Sequence, residues 1–182
     1  PINGLLLVLL ATLWGGSFVA IEAGVKEWPP LLFAAVRYDL AGALVLGLAA
    51  VRSGRALPRT RDDLVAVATV AVFVIFGHHA LLYVGQETVP GPVASAVVAL
   101  SPVVTALLAP ALLGDGELGG IQYAGVAIGF LGVVAVTNPG STGGVPATGT
   151  LLVFGATVAF ALGTVLLRRV RPRLSAAALQ GW

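Results

Sequence analysis

Five stretches of this 182-residue chain contain no Asp, Glu, Lys or Arg: residues 1–21, 40–51, 64–86, 88–114 and 118–167. The last is interrupted only by a loop-like patch, Asn138-Pro139-Gly140-Ser141-Thr142-Gly143-Gly144-Val145-Pro146. A bilayer core about 30 Å thick is crossed by about 20 apolar residues of helix. Backbone polar groups in lipid must be satisfied within their own segment, so each crossing has to be helical. The pattern predicts an all-α integral membrane bundle. Its spanning helices are expected at about 4–22, 30–51, 64–86, 92–113, 118–137 and 149–167, with 174–182 starting a seventh. Composition excludes a soluble domain: 58% of residues are hydrophobic and 10% charged, against about 25% charged in soluble domains.

Charge placement sets the orientation. Eight of the ten basic residues fall in two short loops, Arg52, Arg55, Arg59, Arg61 and Arg168, Arg169, Arg171, Arg173. Loops rich in Lys and Arg stay cytoplasmic, so these clusters are an orientation signal and not a nucleic-acid patch. Four crossings separate the two loops, which returns the chain to the same side. The reading is a multi-pass protein of the cell (plasma) membrane with a cytoplasmic N-terminus. The loops after helices one, three and five then face outside, and the acidic Asp115/Glu117 turn is cytoplasmic. The chain has no cysteine, which excludes disulfides and thiol chemistry. The first apolar stretch lacks the basic flank and cleavage site of a signal peptide. No Gly-x-x-x-x-Gly-Lys phosphate loop and no Gly-x-Ser-x-Gly elbow occurs, so neither a nucleotide-driven pump nor a hydrolase is indicated. A start at Pro1 and a stop at Trp182 lead to the expectation of a fragment.

A weak internal repeat points the same way. Leu6-Leu7-Val8 with Ala11-Thr12 recurs as Leu151-Leu152-Val153 with Ala156-Thr157. Helix one enters from the cytoplasm and helix six from outside, so a five-helix repeat returns inverted. Inverted repeats around a midplane site are a recurring transporter plan.

Several motifs stand in a fixed order. Trp14-Gly15-Gly16-Ser17-Phe18 lies in helix one, and Pro30, Phe33 and Arg37 open helix two. Ala80-Leu81-Leu82-Tyr83 is followed by Ala94-Ser95-Ala96, Leu100-Ser101-Pro102-Val103, Gly114 and Glu117-Leu118, then Gln122, Gly125, Gly129 and Gly132. In this order and spacing they resemble the EamA family of the drug/metabolite transporter superfamily. The resemblance divides the chain into a first five-helix repeat, residues 1–137, and residues 138–182, a loop, the sixth helix and the start of a second repeat. It implies a permease of two inverted five-helix repeats that moves small metabolites without hydrolysing nucleotide, of which this chain supplies about six helices in ten.

Ionisable groups inside a membrane mark functional sites by default. Arg37 and Asp39 lie about 10 and 13 Å inside helix two from Pro30, on different faces. Glu22 ends helix one on the same side, and a Glu22–Arg37 pair is expected, either as part of a site or as a lock between helices. His79, Tyr83 and Gln86 share one face of helix three, Trp14, Phe18 and Glu22 one face of helix one, and Ser101 and Thr105 one face of helix four. Most of these groups are in the outer halves of their helices, which predicts a polar cavity near the outside. Trp14, Phe18, Arg37, Asp39, His79 and Tyr83 are the expected solute-lining residues, with Arg37 offered to a carboxylate or phosphate. Glu22 and His78 are candidates for an ion pair or for coupling. His78 and His79 permit proton coupling; the alternative is that one caps a neighbouring helix's carbonyl and the other faces an interface. No metal-ligand spacing and no cofactor motif is present. Gly125-x-x-x-Gly129, with Gly15, Gly16, Gly42 and Gly47, is expected to allow close helix packing, including self-association. Pro102 and Pro110 are expected to bend helix four or free carbonyls.

The partners expected are a small-molecule solute and membrane lipid. Two rival readings remain. One is an intramembrane lipid-headgroup enzyme with His78 or His79 as base beside Asp39, which requires hydrogen-bond contact between them. The other is a small non-transporting subunit that associates through its glycine faces, which a sealed chain with no cavity in the outer half would favour.

Overall fold

A computed structural model describes residues 4–53, 56–114, 118–138 and 144–182. Arg55, the Asp115–Glu117 turn and residues 139–143 of the uncharged loop lie outside the described residues. Among those described there are helices and no strands, and six helices are long and apolar enough to cross a membrane. They are α1 (Gly4–Glu27), α2 (Pro30–Ser53), α3 (Arg61–Gly85), α4 (Gly91–Leu113), α5 (Gly120–Thr137) and α6 (Ala147–Leu167). A short α7 (Ala176–Gly181) follows.

Local chemistry explains the boundaries. α1 runs five residues past its expected end, because Lys26 Nζ reaches Glu22 Oε1 at 3.2 Å one turn back and Trp28 N–H still donates to Gly24 at 3.0 Å. Only Trp28 and Pro29 remain as the turn into α2, whose first residue, Pro30, needs no intrahelical N–H partner. α3 starts earlier than expected, on a capping box: Thr60 Oγ1 accepts from Asp63 N–H at 3.1 Å while Asp63 Oδ2 accepts from Thr60 N–H at 2.9 Å. α4 and α5 end on left-handed residues, Gly114 (φ 72°) and Asn138 (φ 44°).

Two helices are irregular at mid-membrane. α3 winds as a π-helix over Val70–Gly77, a wide turn often found at functional sites. α4 breaks at Ala99–Leu100, between Gly91–Val98 and Ser101–Leu113. Pro102 carries no N–H for the Val98 carbonyl; Ser101 Oγ–H donates to that carbonyl instead, at 2.5 Å.

α6 is the centre of the bundle. It packs along all of α3 and against both halves of α4, while α1 lies against α4 and the end of α3, α2 against the end of α3 and α7, and α5 against α4. Close approach is set by some of the glycines singled out in the sequence, Gly42 and Gly129, and by others that were not. A Cβ on Gly163 would stand 2.6 Å from Val74 Cγ2, and one on Gly85 2.7 Å from Val153 Cγ2. Gly15, Gly16, Gly47 and Gly125 face open space, whereas Gly129 meets Leu100 and Gly42 meets the Gly181 carbonyl. Every residue from Leu5 to Leu10 is exposed, as a lipid-facing or still uncovered helix surface requires.

Candidate functional site

The six helices leave a cleft of about 780 Å³ between α1, α4 and α6. α1 contributes Trp14 and Phe18, α4 Ser95, Ser101 and Thr105, and α6 Phe160, Thr164 and Arg168. Phe160, Thr164 and Arg168 follow at i, i+4, i+8 and so share one face of α6. The α4 break sits in this wall, since Val98, Ala99, Ser101 and Pro102 all line it. The cleft extends toward the end of the bundle that carries the two arginine loops, with Arg168 there.

Its hydroxyl groups have a common arrangement. Ser95 Oγ donates to the Pro92 carbonyl (2.7 Å), Ser101 Oγ to Val98 (2.5 Å), Thr105 Oγ1 to Ser101 (2.7 Å) and Thr164 Oγ1 to Ala161 (2.8 Å). Each proton is committed to the helix that carries it, so each oxygen offers lone pairs to the cleft. The Ala106 carbonyl, also in the lining, has no N–H four residues on because residue 110 is proline. Trp14 adds an indole N–H and Arg168 a cation, but acceptors and aromatic rings dominate.

The polar groups away from the arginine loops behave differently. Arg37 Nη1 donates to the Tyr83 hydroxyl at 2.9 Å and lies 5.6 Å from the centre of the Tyr38 ring. Tyr38 packs on His79 with centroids 4.1 Å apart, and His79 Nδ1–H donates to the Ile75 carbonyl at 2.9 Å. His78 is buried and its Nδ1–H donates across to the Ala156 carbonyl of α6 at 2.9 Å. Gln86 Nε2 donates to the Phe18 carbonyl at 3.1 Å, and its Oε1 is buried without a partner among the described residues.

The expected Glu22–Arg37 pair is not formed. Glu22 Oε2 accepts from the Gly91 N–H at 2.6 Å, at the start of α4, and Oε1 holds Lys26. A carboxylate at a helix N-terminus satisfies an otherwise orphan donor, and Arg37 takes the phenol instead. Asp39 is exposed on α2, beside a second hollow shared with Gln180 and Trp182 of the chain end. Among the described residues no hydrogen bond or ion pair joins it to either histidine, so the contact that the enzyme reading requires is absent.

The candidate residues thus fall into separate places. Trp14 and Phe18 line the cleft; Arg37, His79 and Tyr83 meet on the α2–α3 side; Glu22 and His78 tie helices together; Asp39 stands apart. The cavity expected among these polar groups is not the cleft observed: the cleft's lining omits Arg37, His79 and Tyr83 and runs from Ser95, near the start of α4, toward the arginine end at Arg168. Phe160 and Thr164 carried no signal in the sequence beyond helical spacing, Arg168 was read only as a charge that sets orientation, and Tyr38 was hidden between the charges of Arg37 and Asp39. No group of three or more potential metal ligands occurs among the described residues.

Comparison with known proteins agrees with this architecture. Residues 2–138 match the profile of the EamA-like transporter family. The chain is 31% identical over 170 residues to the uncharacterized inner membrane transporter YedA of Escherichia coli K12, covering 93% of this chain and 54% of that protein. It is 28% identical over 172 residues to the uncharacterized transporter YvbV of Bacillus subtilis, covering 94% and 55%. An uncharacterized transporter of Archaeoglobus fulgidus is 29% identical over 160 residues, covering 88% and 55%. The chain spans about half the length of the curated relatives it matches. No solved structure matches it.

Proposed function

The chain belongs to the EamA-like transporter family, a membership that makes it a multi-pass membrane transporter, and from that premise we propose that it moves a small organic solute by alternating access, as a secondary permease, through the α1–α4–α6 cleft. The observation that carries this reading is the cleft itself, about 780 Å³ running along three spanning helices and walled by Trp14, Phe18 and Phe160. That volume is in the range of small-molecule sites. Aromatic walls with a surplus of acceptor oxygens suit a solute with an apolar body and N–H or O–H donors, such as an organic amine or alcohol.

Arg37, Asp39, His79 and Tyr83 belong in this proposal to a second station on the α2–α3 side, reached in another stage of the transport cycle. Residues 1–137 form the first repeat and 138–182 open its inverted partner. The bare glycine faces of α1 and α5 are where that partner, or a second copy, packs. The arginine loops put the N-terminus in the cytoplasm. No step calls for a cofactor or a catalytic residue.

The test is ligand-dependent thermal stabilisation of the purified chain against pooled organic amines, carboxylates and sugars. Amines or alcohols should stabilise it, and Trp14→Ala and Thr105→Val should abolish the effect without lowering the unliganded melting temperature. Stabilisation that survives both substitutions would place the solute elsewhere. In proteoliposomes, Arg37→Ala should abolish uptake while the protein still inserts; full uptake by that variant would remove the second station from the proposal.

A further inference from the structure

The two arginine loops, 110 residues apart in sequence, meet at one carboxylate. Asp63 is 2% exposed. Its Oδ2 accepts from the backbone N–H of Arg59 (3.1 Å) and of Thr60 (2.9 Å), and its Oδ1 from those of Arg173 (2.6 Å) and Leu174 (3.2 Å). Each loop therefore binds one oxygen of the same group, and the side chains of Arg59 and Arg173 start from neighbouring points. All four bonds come from backbone, so the carboxylate is satisfied without using either guanidinium. Both guanidinium groups are exposed and take part in no hydrogen bond or ion pair among the described residues.

The seam between the loops encloses a pocket of about 720 Å³, lined by Arg59, Thr60 and Arg173 with Leu57 and Leu174 beside them. Arg61 and Arg171, both exposed, flank it in sequence. Its depth follows from the helices: α3 begins at Arg61 and α6 ends at Leu167, so the pocket sits at headgroup level. Two arginines rooted on either side of Asp63 and lining one pocket supply guanidinium groups, which bind phosphate oxygens in a planar fork. Leucines at the rim match the acyl chains below a headgroup. Basic pockets between spanning helices on the cytoplasmic side bind anionic lipid headgroups.

We propose that this pocket is a binding site for an anionic phospholipid, held through its phosphate by Arg59 and Arg173. The lipid would bridge the loop after α2 and the loop after α6, on top of the Asp63 contact.

The experiment is native mass spectrometry of the purified chain in detergent, titrated with phosphatidylglycerol or phosphatidylcholine, with R59A, R173A, the double variant and R52A. Arg52 is exposed at the same end of α2 but is not in the pocket lining, so R52A removes the same charge from the same end. Phosphatidylglycerol should be retained preferentially. A guanidinium in direct contact with the phosphate contributes about a factor of five to lipid affinity, so the double variant should bind about 25-fold more weakly. The single variants should each lose about five-fold, which keeps the test intact should the double variant fail to fold. R52A should bind as the parent chain does. Equal retention of phosphatidylcholine, or a loss in R52A as large as in R59A or R173A, would overturn the site in favour of a diffuse surface field. Inorganic phosphate that competes phosphatidylglycerol off at equal concentration would assign the pocket to a free anion and overturn the lipid.

Discussion

Gly163 and Gly125 are both interior helical glycines, and the structure gives them opposite responses to the same substitution. Replacing either by alanine removes the same backbone freedom from the unfolded chain, which stabilises a helix by about 0.5–1 kcal/mol. At Gly125 the new methyl meets nothing within 4 Å, so that gain should appear undiminished. At Gly163 the methyl would stand 2.6 Å from Val74 Cγ2 and 2.9 Å from Phe73 Cβ. Neither neighbour is the loose end of a long side chain: one is a branched methyl and the other is fixed to the backbone. α6 must then move away from the π-helical segment of α3, and overpacking of this kind costs about 1–3 kcal/mol. Since the propensity gain is common to both, the difference between the two variants isolates the steric cost. At about 2–4 °C per kcal/mol for a chain of this size, Gly163→Ala should melt about 2–12 °C below Gly125→Ala. Tryptophan-monitored thermal unfolding in detergent measures this directly. A gap under about 1 °C, or a rise in both variants, would refute the claim that α6 is seated on α3 by absence of a side chain at residue 163.

Substitutions at three further positions test the polar ties. Tyr83→Phe keeps the ring but leaves Arg37 without its phenol oxygen, a hydrogen bond to a charged group worth about 1.5–3 kcal/mol; an unchanged melting temperature would show that Arg37 is satisfied elsewhere. Glu22→Gln retains an acceptor for the Gly91 N–H and should be nearly neutral, whereas Glu22→Ala should cost about 1 kcal/mol, the usual loss on removing a helix N-terminal acceptor; equal effects would mean that the Lys26 pair, not the α4 N-terminus, is what Glu22 serves. Asp63→Asn replaces one carboxylate oxygen by a nitrogen that cannot accept, so one loop loses its anchor. In a chain without native cysteine, a single Pro172→Cys reporter should then label with maleimide several-fold faster than in the Asp63 parent, and equal labelling would refute the staple.

The number and placement of the spanning helices were legible because lipid imposes one simple rule, an uncharged stretch long enough to cross. Boundaries shifted where short-range chemistry added a turn, as Lys26 did for α1 and the Thr60–Asp63 box for α3. Pro102 was legible as a disturbance of α4, since a missing N–H is a property of one residue. Contacts between helices were not legible. Glu22 and Arg37 lie on the same side of the membrane, yet pairing depends on rotation about each helix axis and on which neighbour arrives first. Glu22 faces the start of α4 and Arg37 faces α3. Asp63 was overlooked for a related reason: an acidic residue in a basic loop reads as solvated, and its four donors come from two places 110 residues apart in sequence. Glycine spacing was a partial guide: Gly42 and Gly129 do meet neighbouring elements, whereas Gly85, Gly149 and Gly163 have no pattern of their own and acquire meaning only against Val153, Val89 and Val74.

These observations fit together through α6. A helix that enters after a five-helix unit would be expected to begin a separate one, yet α6 is wedged into the first unit against α3 and α4. On its α3 side the fit is closed: His78 donates to Ala156, and Gly163 lies against Val74. On its α4 side Thr157 Oγ1 donates to its own Val153 carbonyl at 3.0 Å and reaches Val97 at 3.5 Å. Below that level α4 breaks, yet Ser101–Leu113 still packs along α6, with Val104 and Ala161 in one buried cluster, and the cleft with Thr164 and Arg168 in its wall opens between this pair and α1. In a membrane, where apolar burial between helices gains little over lipid, close packing and hydrogen bonds decide which helices stay together. The α3–α4–α6 group is therefore held together on both sides of the Ser101-Pro102 break, and α1, which packs on the first half of α4, is the least anchored wall of the cleft. On the proposed permease reading, motion of α1 against that group would change access to the cleft beside Trp14 without disturbing the His78–Ala156 tie.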